Sequence, residues 1–262
     1  MSTMQIARYS LAGRVHHGIL EGDRLRRLEG SPLEQLAEAS ARDALAEVTL
    51  LCPVERPRIF GAAYNYKAHT QDSGKNEPTI PVLFMKPSTA ATGHLQPIVY
   101  PEGGEIVHYE GELTVVIGKT ARYVREQDAL EYVFGYTCGN DVSDRVVQRR
   151  ESSFGCLLAG KAYDTFAPMG PLITTGLDPA GLTVTTRLNG EVKQQGRTSD
   201  LVYPVPSLIA YLSRFITLLP GDVIMTGTPA GVGPIQAGDV VEVEIPGIGV
   251  LSNPVVAECL PR

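Results

Sequence analysis

His108-Tyr109-Glu110-Gly111-Glu112-Leu113-Thr114-Val115-Val116-Ile117-Gly118 is the stretch that decides how this chain folds. Its β-branched run predicts a strand. Side chains two apart on a strand share a face, so Glu110 and Glu112 point the same way and Gly111 leaves room opposite. Adjacent carboxylates repel unless one is protonated or a cation lies between them. One reading is a solvated strand end with two surface acids. In the other, the apolar continuation places the pair near the core, where buried carboxylates need a partner. A hard divalent ion, Mg²⁺ or Mn²⁺ with Ca²⁺ as a substitute, would supply it.

Downstream, Phe134-Gly135-Tyr136-Thr137-Cys138-Gly139-Asn140-Asp141 reads as a strand that ends on a third acid, Asp141, before a helix start at residues 142–148. Arg145 and Gln148 share a helical face there. A guanidinium fork and an amide can together grip a carboxylate. The plainer alternative is a helix cap at Asn140 or Asp141 beside a surface arginine. Upstream, Asn65-Tyr66-Lys67-Ala68-His69-Thr70-Gln71-Asp72 puts His69 and Asp72 on one face of a helical turn. A carboxylate that fixes an imidazole tautomer makes a general base, although a surface His–Asp pair has the same spacing.

Two glycine-bearing segments complete the set. Gly155-Cys156-Leu157-Leu158-Ala159-Gly160-Lys161 fits a phosphate-loop pattern, but Ala162 replaces its Ser or Thr. Pro168 and Pro171 also forbid the long helix that should follow. Nucleotide binding is therefore set aside, and Lys161 is read as a positive charge available to a developing oxyanion. Met225-Thr226-Gly227-Thr228-Pro229-Ala230-Gly231-Val232-Gly233 reads as a strand end and a loop. Its amides and hydroxyls either bind a carboxylate or form a plain turn.

The rest of the chain frames these segments. Its 262 residues correspond to roughly 1.7 domains at ~150 residues each. The 27 glycines and 19 prolines favour many short strands over a helical bundle. A net charge of −6 with no basic block argues against nucleic-acid or anionic-membrane partners. No apolar run reaches the ~18 residues of a membrane span. Four cysteines without a C-x-x-C pair read as buried free thiols of a reducing cytoplasm.

Residues 1–55 read as a small α+β unit with strands at 6–11 and 14–20. Ser31, Pro32 and Glu34 spell the start of a helix. A proline-rich joint at 52–57 then leads into a β-rich unit, 56–262. Asn189-Gly190 and residues 246–249 predict hairpins. Residues 205–219 predict an amphipathic helix stopped by Pro220-Gly221-Asp222.

The order NYKAH, HYEGELTVVIG, GNDVSDRVVQ, GKAYDTFAPMGP and PGDVIMTGTPAGVG closely resembles the fumarylacetoacetate hydrolase family over about residues 58–256. The resemblance implies a β-rich α+β fold, a mixed β-roll preceded by a small N-terminal domain, usually as a homodimer. It implies metal ligands at Glu110, Glu112 and Asp141. It implies catalytic residues at His69, Asp72 and Lys161, and a substrate-binding set of Arg145, Gln148, Tyr64 and Thr228. Asp72 stands where the family often has Glu, and Asp144 where a small residue is frequent. The implied activity is C–C hydrolysis of a 2-oxo acid of acylpyruvate or fumarylpyruvate type, through a metal-bound enolate. The alternatives are isomerisation or decarboxylation of an unsaturated dioate such as 2-hydroxyhepta-2,4-diene-1,7-dioate and, more remotely, a metal-binding dimer without catalysis.

Overall fold

Strands with apolar residues on both faces must be covered on both faces, and this requirement organises the molecule. The computed structural model describes residues 3–68 and 76–259. Gly111–Ile117 is buried at every position and lies inside a twelve-stranded sheet. Its neighbours are Val133–Asn140, antiparallel with Glu112 opposite Gly139, and Val223–Met225, antiparallel with Val115 opposite Ile224. Val223–Met225 in turn runs parallel to Ile59–Ala63, which pairs with Val82–Lys86.

Period-two alternation assigns the two faces. Leu113, Val115 and Ile117 join a core with Val184, Val243, Ile245 and Leu251 of a second, five-stranded sheet, and with Leu208, Ile209 and Leu212 of the helix Val205–Phe215. Val116 faces a separate core with Ile59, Met169, Ile173 and Met225. At Gly111 the two sheets approach closely: a Cβ there would stand 2.0 Å from Thr186 Oγ1.

Both predicted hairpins form. Asn189 and Gly190 take φ of 53° and 83° between Thr183–Leu188 and Glu191–Arg197, as a two-residue primed turn requires. Val240–Ile245 turns into Gly249–Ala257. The helix begins at Val205 as expected but ends at Phe215, four residues before Leu219. Phe215 is 66% exposed, and beyond it the chain is no longer helical although Ile216 and Leu218 still pack on the core.

The N-terminal reading needs correcting at one place. Residues 32–34 form only a turn, and the chain then enters the strand Ala37–Ala44 instead of a helix. This strand pairs with Arg24–Glu29, whose Leu25 and Leu28 are buried against the preceding strands. Sheet pairing outweighs the local helix-start signal. The N-terminal strands extend the large sheet, through Gln5 opposite Thr174 and Ile6 opposite Ile173. The thiols are free, but only Cys138 is fully buried, while Cys156 and Cys259 are exposed. Among the described residues, no helix is long and apolar enough to cross a membrane.

Candidate active site

The strand break at Glu110 creates the site. Residues 107–109 pair with Ser143–Asp144 in a small three-stranded sheet, and Gly111 begins the long buried strand. Glu110 lies between them, its backbone N–H donating to Asn140 Oδ1 at 2.9 Å. Asp141 follows the paired strand directly, and its N–H donates to Glu110 O at 2.9 Å. The three acids thus converge: one carboxylate oxygen from each of Glu110, Glu112 and Asp141 lies within 4.8 Å of the others, and all three residues are buried.

Three cations face these three acids. Lys161 Nζ donates to Asp141 Oδ2 at 2.5 Å, Ser143 Oγ at 2.7 Å and Glu110 Oε2 at 3.3 Å. Arg145 pairs with Glu110 and donates to Gln148 Oε1 at 2.8 Å. Lys86 pairs with Asp141 and donates to the carbonyls of Phe166, at 2.6 Å, and Val142, at 3.0 Å. Sequence reasoning missed Lys86. The available signal was a lysine at an inward position of the apolar strand Val82–Lys86.

Burial and neighbouring charge set the protonation balance of this cluster. Burial raises the Glu112 carboxyl well above the usual glutamate range, reinforced by the charges of Asp141 and Glu110. Opposing it are a hydrogen bond from Gly227 N–H to Glu112 Oε2, at 2.6 Å, and the positive charge of Lys161. Burial works against the Lys161 charge, yet Asp141 and Glu110 outweigh it and its pKa is raised. Burial wins at Lys86 and pushes it down to about 8 despite Asp141. Three hard carboxylate donors, one of which would hold a proton when no further cation is near, suit a divalent ion of the Mg²⁺ or Mn²⁺ kind.

Local structure holds each side chain in place. Asp144 caps the helix Arg145–Ser152 by accepting from the amides of Val146 and Val147, at 2.9 and 3.1 Å. The cap is therefore neither Asn140 nor Asp141. Asp144 thus has a structural task. Lys161 closes a single turn, Ala159–Lys161. The Glu151 carboxylate accepts the amides of Ala159 and Gly160 at 2.7 and 2.9 Å and anchors that turn. Gly160 is required by close approach, since a Cβ there would lie 2.7 Å from Gln148 N. No strand leads into this segment and no long helix follows it, as a phosphate loop would need.

Thr228 is buried, donates to Gly111 O at 2.9 Å and accepts from Gln194 Nε2 at 2.8 Å. A cavity of about 480 Å³ collects Tyr64, Glu110, Arg145, Gln148, Lys161 and Thr228 on its walls. His69 and Asp72 lie outside the described residues.

Comparison with known proteins agrees with this geometry. Residues 58–256 match the family model described as fumarylacetoacetate (FAA) hydrolase C-terminal, and residues 4–53 match Rv2993c-like, N-terminal. Protein Rv2993c of Mycobacterium tuberculosis is 44% identical over 83% of this chain and 82% of its own length. The crystal structure of 5-carboxymethyl-2-hydroxymuconate delta-isomerase from Mycobacterium smegmatis is 40% identical with a TM-score of 0.91, covering 97% of this chain and 100% of its own. Maleylpyruvate hydrolase from Sphingobium sp. SYK-6, solved in complex with manganese(II) and pyruvate, is 34% identical with a TM-score of 0.80, covering 98% of this chain and 100% of its own. The mixed, β-rich architecture, the clustered acids and these likenesses agree, and the chain belongs to the fumarylacetoacetate hydrolase family of enzymes.

Proposed function

We propose that the protein is a divalent-metal-dependent hydrolase that cleaves a C–C bond in a 2-oxo acid of acylpyruvate or fumarylpyruvate type. The observation that carries this reading is the buried Glu110, Glu112 and Asp141 triad beside the cavity that also holds Arg145, Gln148 and Lys161. The triad would hold Mg²⁺ or Mn²⁺, and the ion when bound would supply Lewis acidity toward the 2-oxo group.

The chain's own groups do the rest. Arg145 and Gln148 bind the substrate carboxylate through N–H donors. Tyr64 and Thr228, which line the same cavity, would contact the substrate as well. An imidazole nitrogen of His69 takes a proton from water, while Asp72 holds the ring tautomer. The water oxygen attacks the distal carbonyl, and the breaking C–C bond leaves its electron pair on the pyruvate fragment. Lys161 Nζ stays protonated and stabilises the resulting enolate oxygen. Protonation at carbon then yields pyruvate and a carboxylic acid. A homodimer, a cytoplasmic setting and a division near residue 55 into an N-terminal unit and a catalytic unit belong to the same proposal.

Isomerisation or decarboxylation of an unsaturated dioate is the second reading. The 40% identity to the M. smegmatis isomerase, against 34% to the maleylpyruvate hydrolase, favours it. Both readings share enolate stabilisation and differ in whether water is activated. The test is a screen of acylpyruvates, fumarylpyruvate, oxaloacetate and unsaturated dioates with Mg²⁺ and Mn²⁺, using wild type, Glu110→Gln and His69→Ala. Hydrolysis is expected in wild type only. Loss of hydrolysis in His69→Ala with dioate isomerisation or decarboxylation retained would mark the second reading. Full activity of Glu110→Gln, or metal binding without turnover of any 2-oxo acid, would refute the proposal.

A further inference from the structure

The strand Glu191–Arg197 is an outer edge of the five-stranded sheet, and it is exposed or half-buried at every position but one. The exception is Gln194, which is 1% exposed. A buried amide needs hydrogen-bond partners, and Gln194 finds them at the active site. Its Oε1 accepts from Gly111 N–H at 3.0 Å, and its Nε2 donates to Pro229 O and to Thr228 Oγ1, both at 2.8 Å. Gly111 lies between two acids of the triad, and Thr228 lines the cavity. These partners fix which way the amide points. A backbone N–H only donates and a carbonyl only accepts, so the oxygen faces Gly111 and the nitrogen faces Pro229. The second N–H of Gln194 goes to Thr228 Oγ1, and the single hydroxyl proton of Thr228 is directed to Gly111 O at 2.9 Å. The chain of hydrogen bonds thus begins and ends on Gly111. The loop that carries Thr228 also fits tightly on this strand, since a Cβ at Gly231 would stand 2.2 Å from Lys193 O.

We propose that Gln194 is a positioning residue of the active site, which acts through Thr228 by holding its hydroxyl in one orientation beside the acid triad. This rests on the reading of Thr228 as a substrate contact and assigns the residue that sets its geometry. A hydroxyl left free to rotate has to be ordered when a ligand binds, which weakens binding. Here the fold orders it beforehand. The three acids have anchors of their own: Gly227 N–H on Glu112, Arg145 on Glu110 and Lys86 on Asp141. Loss of the Gln194 amide should therefore weaken the binding of a 2-oxo acid and spare the binding of the cation.

The test is a double-mutant cycle on the full chain with Gln194→Met, which keeps the side-chain length and removes the amide, and Thr228→Val, which keeps the shape and removes the hydroxyl. Pyruvate affinity is measured by calorimetry in excess Mg²⁺, and Mn²⁺ affinity by electron paramagnetic resonance, so neither readout requires turnover. Each single variant should bind pyruvate about tenfold more weakly, the effect of one hydrogen bond. The double variant should match the weaker single variant to within about twofold, because Gln194 has nothing to act through once the hydroxyl is gone. Mn²⁺ affinity should stay at the wild-type value in Gln194→Met. Gln194→Asn, whose amide is one methylene too short to reach Thr228, carries the same expectations if the Met variant fails to fold. Unchanged pyruvate affinity in the Gln194 variant, losses that add in the double variant, or Mn²⁺ binding that falls in step with pyruvate binding would overturn the role of Gln194 alone. Unchanged pyruvate affinity in Thr228→Val, or no pyruvate binding by wild type, would remove the substrate reading itself, and the role of Gln194 with it.

Discussion

Replacing Lys86 by Met should make the site bind a divalent cation more tightly. The Lys86 side chain is fully buried, and its ammonium is paired with Asp141, one of the three clustered acids. A divalent ion held by those acids would sit a few ångströms from this charge. At ~5 Å a double and a single positive charge repel by about 1.7 kcal/mol even at a water-like dielectric of ~80, and more strongly in a protein interior. Removing the ammonium should therefore strengthen Mn²⁺ binding by at least about tenfold at neutral pH.

The same variant leaves the carbonyls of Phe166 and Val142 without this donor. That should destabilise the fold by ~1–3 kcal/mol, so titrations belong well below the melting temperature. Lys86 is pushed down to about 8. Wild type should thus gain Mn²⁺ affinity as the pH rises through that value and the ammonium loses its charge, and Lys86→Met should lack the step. Free Mn²⁺ measured by electron paramagnetic resonance at pH 7 and pH 9 reads both effects. Equal or weaker Mn²⁺ binding by Lys86→Met at pH 7 would refute the reasoning, because it would mean that Lys86 supports the cation site rather than opposing it.

Other outcomes follow from neighbouring contacts. The Glu112 carboxyl is raised in the fold, so its contribution to stability is full below the ordinary glutamate range and is lost as pH rises through the folded value. Metal-free protein should lose melting temperature across that interval, and Mn²⁺ should abolish the decline; a flat metal-free profile would contradict the buried cluster. Asp144→Ala removes the acceptor of two helix amides and should cost about 1 kcal/mol in denaturant unfolding. Gly111→Ala forces a Cβ to within 2.0 Å of Thr186 Oγ1 and should destabilise by ~1–3 kcal/mol, whereas Gly111→Ala with Thr186→Ala should recover part of the loss.

The features legible in the sequence were those governed by local pattern. A β-branched run and turn chemistry located the strand Gly111–Ile117 and both hairpins. The i, i+2 relation placed Glu110 and Glu112 together, and the strand end brought in Asp141. What stayed hidden depends on long-range pairing. The turn at residues 32–34 carries helix-start residues, but a neighbouring strand edge captures the chain that follows. Lys86 ends an apolar strand, and nothing local ties it to the acids. Only the packing of Ile59–Ala63 against Val223–Met225, and of Val82–Lys86 beside them, carries it to Asp141. The cap also stayed hidden, because a helix start within residues 142–148 points to Asn140 or Asp141, whereas the helix begins at Arg145 and Asp144 caps it.

Glu110, Glu112 and Asp141 should hold one divalent cation per chain. Titration of Mn²⁺ into wild type and Glu112→Gln, with bound ion counted by electron paramagnetic resonance, tests it most directly. The account predicts one ion per chain in wild type and a loss of at least about tenfold in affinity, ~1.4 kcal/mol, when one ligand charge is removed. Undiminished Mn²⁺ binding in Glu112→Gln would contradict it.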